Sequence, residues 1–237
     1  MINLIKKILK SNSLGKLLYE PLHKLYRLYS VPHRRNLLQR RGVEVLCKLK
    51  TTFERQKIPG FLAAGTLLGF VREGRFMPHD DDIDVGVLPS EWKANELLRV
   101  LVEEEGYRFE YAFMFRGRTV EFKVSWKGVP IDVFCYERID DDLFCTCFYY
   151  FPDRAYPASN ANTPWRIHEY NTVSLKNMSV YGIDFPIPSE PEKVMERLYG
   201  LDWRIPNPNW NDSMHPGKEE LPGEFGYSVS YEEAIKS

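Results

Sequence analysis

Four carboxylates occupy five consecutive positions, Asp80, Asp81, Asp82 and Asp84, and the one residue among them, Ile83, starts an apolar alternation with Val85 and Val87. Like charges this close repel one another unless water or a cation neutralises them. A solvated acidic loop would tolerate the acids, but it has no need of the alternating apolar residues. On a strand, side chains alternate with period two, so Ile83, Val85 and Val87 take one face while Asp82 and Asp84 project together on the other. The spacing predicts a buried strand with two carboxylates side by side at its leading end. Oxygen donors arranged in this way suit a hard cation such as Mg²⁺, with Mn²⁺ as the alternative. An EF-hand calcium loop does not fit, because the D-x-D-x-D-G spacing and the closing Glu are missing.

A third acid, Asp132, stands alone in the apolar run Val129-Pro-Ile-Asp-Val-Phe-Cys135. An isolated buried carboxylate is costly and needs a partner. Two readings compete: an ion pair with Lys123 or Arg72, or a metal shared with Asp82 and Asp84 across adjacent strands. Upstream, residues 61–64 read as a short buried strand running into Gly65-Thr66. Glycine followed by a hydroxyl residue lets backbone N–H groups approach phosphate oxygens closely. Arg72 and Arg75 follow, and arginine suits bidentate phosphate contact. A salt bridge from Arg72 to Glu73 or Asp80 is an equally ordinary role.

The rest of the chain reads as a mixed α+β body. A helix is expected over residues 35–56, ended by Pro59-Gly60, and another over residues 91–105, ended by Gly106. Residues 107–115, 119–126 and 130–136 read as successive strands with Arg116-Gly117 and Lys127-Gly128 as turns, and residues 143–151 as a further strand. Beyond Pro152 a helix over residues 190–199 is the clear element, and the segment after Pro206 reads as irregular. Three parts are therefore expected: a basic amphipathic helical arm over residues 1–33, a catalytic body over 34–206 and an irregular tail over 207–237.

The arm carries apolar residues at helical spacing (Leu17, Leu18, Leu22, Leu25, Tyr26, Tyr29) with breaks or bends expected near residues 11–15, Pro21 and Pro32. Residues 1–50 hold twelve Lys or Arg against Glu20 and Glu44, although the whole chain has a formal net charge of -1. The arm is read either as a helix lying peripherally on an anionic membrane or as helices packed on the body with a solvated basic face. The overall charge and the lack of any recognisable module argue against nucleic acid as a partner. Cys47, Cys135, Cys145 and Cys147 form neither a disulfide framework nor a zinc pattern, and a reducing compartment is expected. No run reaches the ~20 apolar residues of a membrane span and no signal peptide is read, so the expected location is cytoplasmic, with peripheral membrane contact on the inner face as the arm's option.

Gly-Thr followed by Asp-h-Asp and a later h-Asp-h, where h is apolar, resembles the nucleotidyltransferase superfamily. More closely, residues 65–87 resemble the LicD family, which includes fukutin and fukutin-related protein and carries G-T-L-L-G-x-x-R followed by P-W-D-D-D-I-D. Gly182-Ile-Asp-Phe-Pro-Ile-Pro-Ser189 and the following residues 194–203 resemble the family's closing v-P-x-P, helix, Y-G-x-x-W pattern. The likeness spans about residues 43–206. It departs at His79, where the family has Trp, and at residues 170–175, which lack a proline often found there. The resemblance implies a nucleotidyltransferase-like mixed β-sheet flanked by helices. It also implies transfer of a phospho-alcohol, such as phosphocholine or ribitol phosphate, from a CDP-linked donor to a hydroxyl of a cell-surface glycan or glycolipid, with CMP leaving. Asp82, Asp84 and Asp132 would be catalytic and hold the metal, and Gly65, Thr66, Arg72 and Arg75 would meet the nucleotide phosphates. The rival readings are transfer of a nucleoside monophosphate to a small molecule, and a non-catalytic glycan-binding protein.

Overall fold

The computed structural model describes residues 13–88, 93–139, 142–151, 153–169, 174–211 and 214–237. The start of the basic arm through residue 12, the expected helix start at Glu91 and residues 170–173 of the family departure lie outside them.

Helix α1 (Ser13–Gln56) runs through Gly15, Pro21 and Pro32, all expected to interrupt it. A proline deletes one i→i−4 hydrogen bond and crowds the turn before it, while the residues on either side can keep theirs. The second half of α1 buries Leu38, Val45, Leu46, Leu49 and Phe53 in the core, the helical spacing of one face. Nearer its start Leu22, Leu25, Tyr26, Leu28 and Tyr29 are exposed. Strand β1 (Gly60–Leu62) follows, then α2 (Ala64–Glu73) and β2 (Ile83–Val87). Helix α3 (Ala94–Arg99) continues as a π-helical turn over Val100–Glu104.

Strands β3 (Arg108–Phe115), β4 (Arg118–Trp126) and β5 (Val129–Cys135) form a meander. Its turns have both central residues in the left-handed region: Arg116 and Gly117 at φ 49° and 76°, Lys127 and Gly128 at φ 50° and 81°. Two-residue hairpins favour this geometry because it matches the twist of the strands, and glycine adopts it freely. Tyr181 and Gly182, at 51° and 77°, make the same turn between β9 (Leu175–Val180) and β10 (Ile183–Pro188). Strands β6 (Glu137–Ile139), β7 (Asp142–Tyr149) and β8 (Ala161–Glu169) extend the sheet. Helix α4 (Pro191–Tyr199) starts with proline in its first turn, where no N–H is needed.

The segment expected to be an irregular tail holds β11 (Lys218–Glu220), β12 (Gly226–Val229) and α5 (Tyr231–Ala234). Strand β12 is only four residues long, too short for a visible alternation, yet it pairs with β3 on one side and β8 on the other. The main sheet runs β1-β2-β5-β4-β3-β12-β8-β7-β6, with β11 added on β8. Strands β2 and β5 are parallel and every other pair in the sheet is antiparallel. The sheet curls, since β7 returns to touch β4 and β5. The result is the mixed α+β architecture, a sheet flanked by helices, that the sequence predicts.

Cys145 is buried in β7 with Cys147 on the same face, in keeping with a core role. Among the described residues no helix is long and apolar enough to cross a membrane.

Candidate active site

The parallel pairing of β2 with β5 sets Asp84 opposite Asp132. The antiparallel pairings continue that line, with Asp132 opposite Lys123 on β4 and Lys123 opposite Tyr111 on β3. Residues opposite one another share a face, so acid, acid, lysine and tyrosine form one row across four strands. Asp82, two residues before Asp84, joins the row from its end. One oxygen from each of Asp82, Asp84 and Asp132 lies within 4.8 Å of the others. The three acids singled out from the sequence thus converge.

Lys123 Nζ bridges them, 2.9 Å from Asp82 and 2.7 Å from Asp132. Of the two ion-pair partners foreseen for Asp132, it is Lys123 that the fold supplies. Tyr111 donates its hydroxyl to Asp132 Oδ1 at 3.1 Å. The signal for Lys123 lay in β4 itself: Glu121 and Lys123 alternate with Val120, Phe122 and Val124, so both must face the same side as Asp132. Tyr111 carried no comparable signal. Glu121 is buried, and its Oε2 has no hydrogen-bond partner.

Crowding sets the electrostatics. Burial, then the negative charges of Asp82, Asp132 and Asp80, push the Asp84 carboxyl well above the usual range, against the pull of the Thr66 N–H. Burial raises Asp132 to about 7 although Lys123 opposes it, and Asp82 adds to the rise. Asp82 is held below its ordinary value: burial works the other way, but Lys123 outweighs it. Three carboxylates against one ammonium leave an excess of two negative charges when all are ionised. An all-oxygen donor set with that excess fits a hard divalent cation.

The turn before the acids is tightly built. Ala64 takes a left-handed backbone conformation, φ 42°, directly ahead of Gly65. A non-glycine residue there is strained by about 1 kcal/mol. A Cβ on Gly65 would sit 3.2 Å from Asp84 Oδ2. Thr66 is bound to Asp84 in both directions: its N–H donates to Asp84 Oδ2 at 3.1 Å, and Asp84 N–H donates to Thr66 Oγ1 at 2.8 Å. In this geometry Thr66 positions the carboxylate.

The loop carrying the acids is fastened to α1. Arg34 Nε donates to Asp81 at 2.7 Å, Arg35 Nε to the His79 carbonyl at 2.8 Å and Gln39 to the Met77 carbonyl at 3.1 Å. Asp80 accepts the Met77 N–H at 3.0 Å, and burial raises its carboxyl to about 7.

A cavity of about 610 Å³ opens beside this turn, and its lining includes Gly65, Arg72, His79 and Asp80 together with Trp203 and Trp210. Arg72 reaches Glu73 at 3.0 Å, Met77 Sδ at 2.9 Å and the Trp203 carbonyl at 3.3 Å. Arg75 is not brought to the cavity; its side chain is 60% exposed and pairs with Glu73 at 3.5 Å. From sequence alone Trp203 and Trp210 are candidate stacking surfaces for a sugar or a choline cation, with core or loop packing the commoner role; the fold sets both on this cavity.

Residues 57–190 match the LicD family, described as LicD/FKTN/FKRP, nucleotidyltransferase domain. The chain is 22% identical over 186 residues to mouse ribitol-5-phosphate transferase FKTN, a stretch covering 76% of this chain and 37% of that protein. It is 22% identical over 179 residues to the human ribitol-5-phosphate transferase FKTN, covering 73% of this chain and 35% of the relative. The match thus spans little more than a third of the length of these relatives. A match over more than half of the chain, on a body whose three acids converge beside a Gly-Thr turn, places the protein in the LicD family.

Proposed function

We propose that the protein transfers a phospho-alcohol from a CDP-linked donor to a hydroxyl of a glycan or glycolipid and releases CMP. The supporting observation is the meeting of Asp82, Asp84 and Asp132 around one point, next to a turn and a cavity able to take a phosphorylated ligand. Family membership and two relatives that are ribitol-5-phosphate transferases favour this chemistry over its rivals. Phosphocholine and ribitol phosphate are both candidate groups.

Asp82, Asp84 and Asp132 would hold Mg²⁺, or Mn²⁺ in its place. Such an ion, when bound, neutralises negative charge developing on the phosphoryl oxygens. Gly65 and Arg72 hold the phosphate of the departing nucleotide. Asp132 accepts the proton of the attacking hydroxyl, whose oxygen bonds to the donor's outer phosphorus as the bond from that phosphorus to the bridging oxygen breaks and CMP departs. Lys123 and Tyr111 fix the Asp132 carboxylate, and Thr66 fixes Asp84.

Incubating the chain with Mg²⁺ and a panel of CDP-alcohols should release CMP from at least one of them, and a chelator should stop the reaction. Pyrophosphate appearing from a nucleoside triphosphate instead would establish nucleoside monophosphate transfer. No release from any donor, with glycan binding intact, would favour a binding protein.

The exposed apolar residues of α1 support a membrane-facing role for the arm. Leu22, Leu25, Leu28 and Tyr29 are 46, 65, 69 and 78% exposed, and Lys24 and Arg27 lie among them. An apolar stripe with basic neighbours suits anionic lipid. The chain should co-sediment with vesicles containing phosphatidylglycerol more than with neutral ones, and the double variant Leu25→Asp, Leu28→Asp should lose most of that binding. Equal recovery of both proteins would remove the membrane role.

A further inference from the structure

Phosphoryl transfer at the acids does not account for the aromatic lining of the cavity. Helix α2 lines it through Gly65, Leu68 and Arg72. Tyr199 at the end of α4 and Trp203 and Trp210 beyond it supply the aromatic lining. The rings of Tyr199 and Trp210 lie 4.9 Å apart, tilted by 54°. Trp203 is 4% exposed, its ring covered by the Arg204 guanidinium at 4.2 Å, so Trp210 is the more accessible of the two indoles. Tyr199 and Trp203 are the Tyr and Trp of the closing Y-G-x-x-W pattern, and Trp210 lies beyond it.

Charged phosphates gain little from aromatic rings, whereas flat, uncharged rings gain much. The volume of about 610 Å³ falls within the ~300–1,000 Å³ of small-molecule sites. A donor of the proposed type carries a nucleoside on one phosphate and the transferred alcohol on the other. Gly65 and Arg72, which hold the nucleotide phosphate in the proposed reaction, both line this cavity; Asp132, Lys123 and Tyr111 do not. The group continuing from the nucleotide phosphate into the cavity is therefore the nucleoside. An acceptor sugar also stacks on aromatic rings, but its hydroxyl must reach Asp132. The lining sets Arg35 and Arg72 against Asp80 and Asp202, so its charge gives a quaternary ammonium no net attraction.

Resting on the phosphotransfer reading of the acids, we propose that this cavity is the nucleoside subsite, with a flat, uncharged base lying against Trp210 and Tyr199 and the ribose directed towards Gly65. The segment from Tyr199 to Trp210 then selects the donor's nucleotide, while the acids act on its phosphates.

Binding of CMP and of inorganic diphosphate to the full chain in Mg²⁺, followed by calorimetry, tests this. Trp210→Ala should weaken CMP by roughly 5- to 100-fold, the range expected from losing one base–aromatic stack, and leave diphosphate unchanged. Trp210→Phe should keep most of the CMP affinity. Trp210→Leu, which retains apolar volume without a stacking plane, should lose as much as the alanine variant. Wild-type CMP affinity in the leucine or alanine variant overturns the subsite. So does a wild-type chain that binds diphosphate but no nucleotide, and in that case phosphotransfer by the acids survives. A chain that binds neither overturns both readings.

Discussion

Asp84→Asn is expected to lower metal-dependent CMP release by at least ~10³-fold while leaving the metal-free protein as stable as the wild type or slightly more so. A metal-bound carboxylate contributes several kcal/mol to transition-state charge stabilisation, and each ~1.4 kcal/mol is tenfold in rate. The stability effect has the opposite sign. Asp84 sits among Asp80, Asp82 and Asp132, and these charges together with burial already push its carboxyl well above the usual range. Asparagine keeps the shape and an oxygen for the Thr66 N–H, now 3.1 Å from Asp84, and removes the repulsion. Thermal melts in chelator should therefore match or exceed the wild type, and the stabilisation by Mg²⁺ should disappear. Activity within tenfold of the wild type would mean that the acids do not hold the catalytic ion.

The largest loss of stability should come from Glu105→Ala, at about 3–5 kcal/mol. Glu105 ends the π-helical turn, and its side chain is 0% exposed. It accepts hydrogen bonds from Lys48 at 2.9 Å, Arg55 Nε at 3.1 Å, Gln56 at 3.0 Å and Thr52 at 3.2 Å, all on α1. Removing it leaves those donors without their acceptor and cuts the polar link between α1 and the end of the π-helical turn. Burial would raise its carboxyl, but the hydrogen bonds from Arg55, Lys48 and Gln56 win and hold it down at about 2, from an ordinary 4.5. Because the folded value is the lower one, its contribution is fully present above about pH 4.5 and is lost as pH falls towards 2. That shift corresponds to about 3 kcal/mol. Urea melts at pH 7 and pH 3 should show the wild type weakening towards the variant at acid pH. A variant within about 1 kcal/mol of the wild type at pH 7 would show that Glu105 is not what secures α1.

The strands that carry the acids were legible because the alternation of Ile83, Val85 and Val87 with Asp82 and Asp84 survives any context that buries one face. The hairpins at Arg116-Gly117 and Lys127-Gly128 were legible because the turn needs left-handed residues and glycine advertises them. Tyr181-Gly182 used the same signal and was overlooked between two short strands. At Gly15, Pro21 and Pro32 local propensity predicts a break in α1, and the longer helix overrides it. Strand β8 escaped notice because Pro164 and several polar residues interrupt its apolar pattern. In the site, charged residues inside apolar strands stood out, whereas the aromatic wall joins it only through tertiary folding. Tryptophan in a proline- and asparagine-rich stretch has no period to betray its partner.

The position of β12 has a consequence for biogenesis. Strands β3 and β8 each find a neighbour in residues 226–229, which the ribosome delivers more than fifty residues after β8. Until then both strands present bare backbone edges, a template for misassociation between nascent chains. Contacts so distant in sequence also form slowly, so a chaperone able to shield those edges during translation would raise the yield of the native protein.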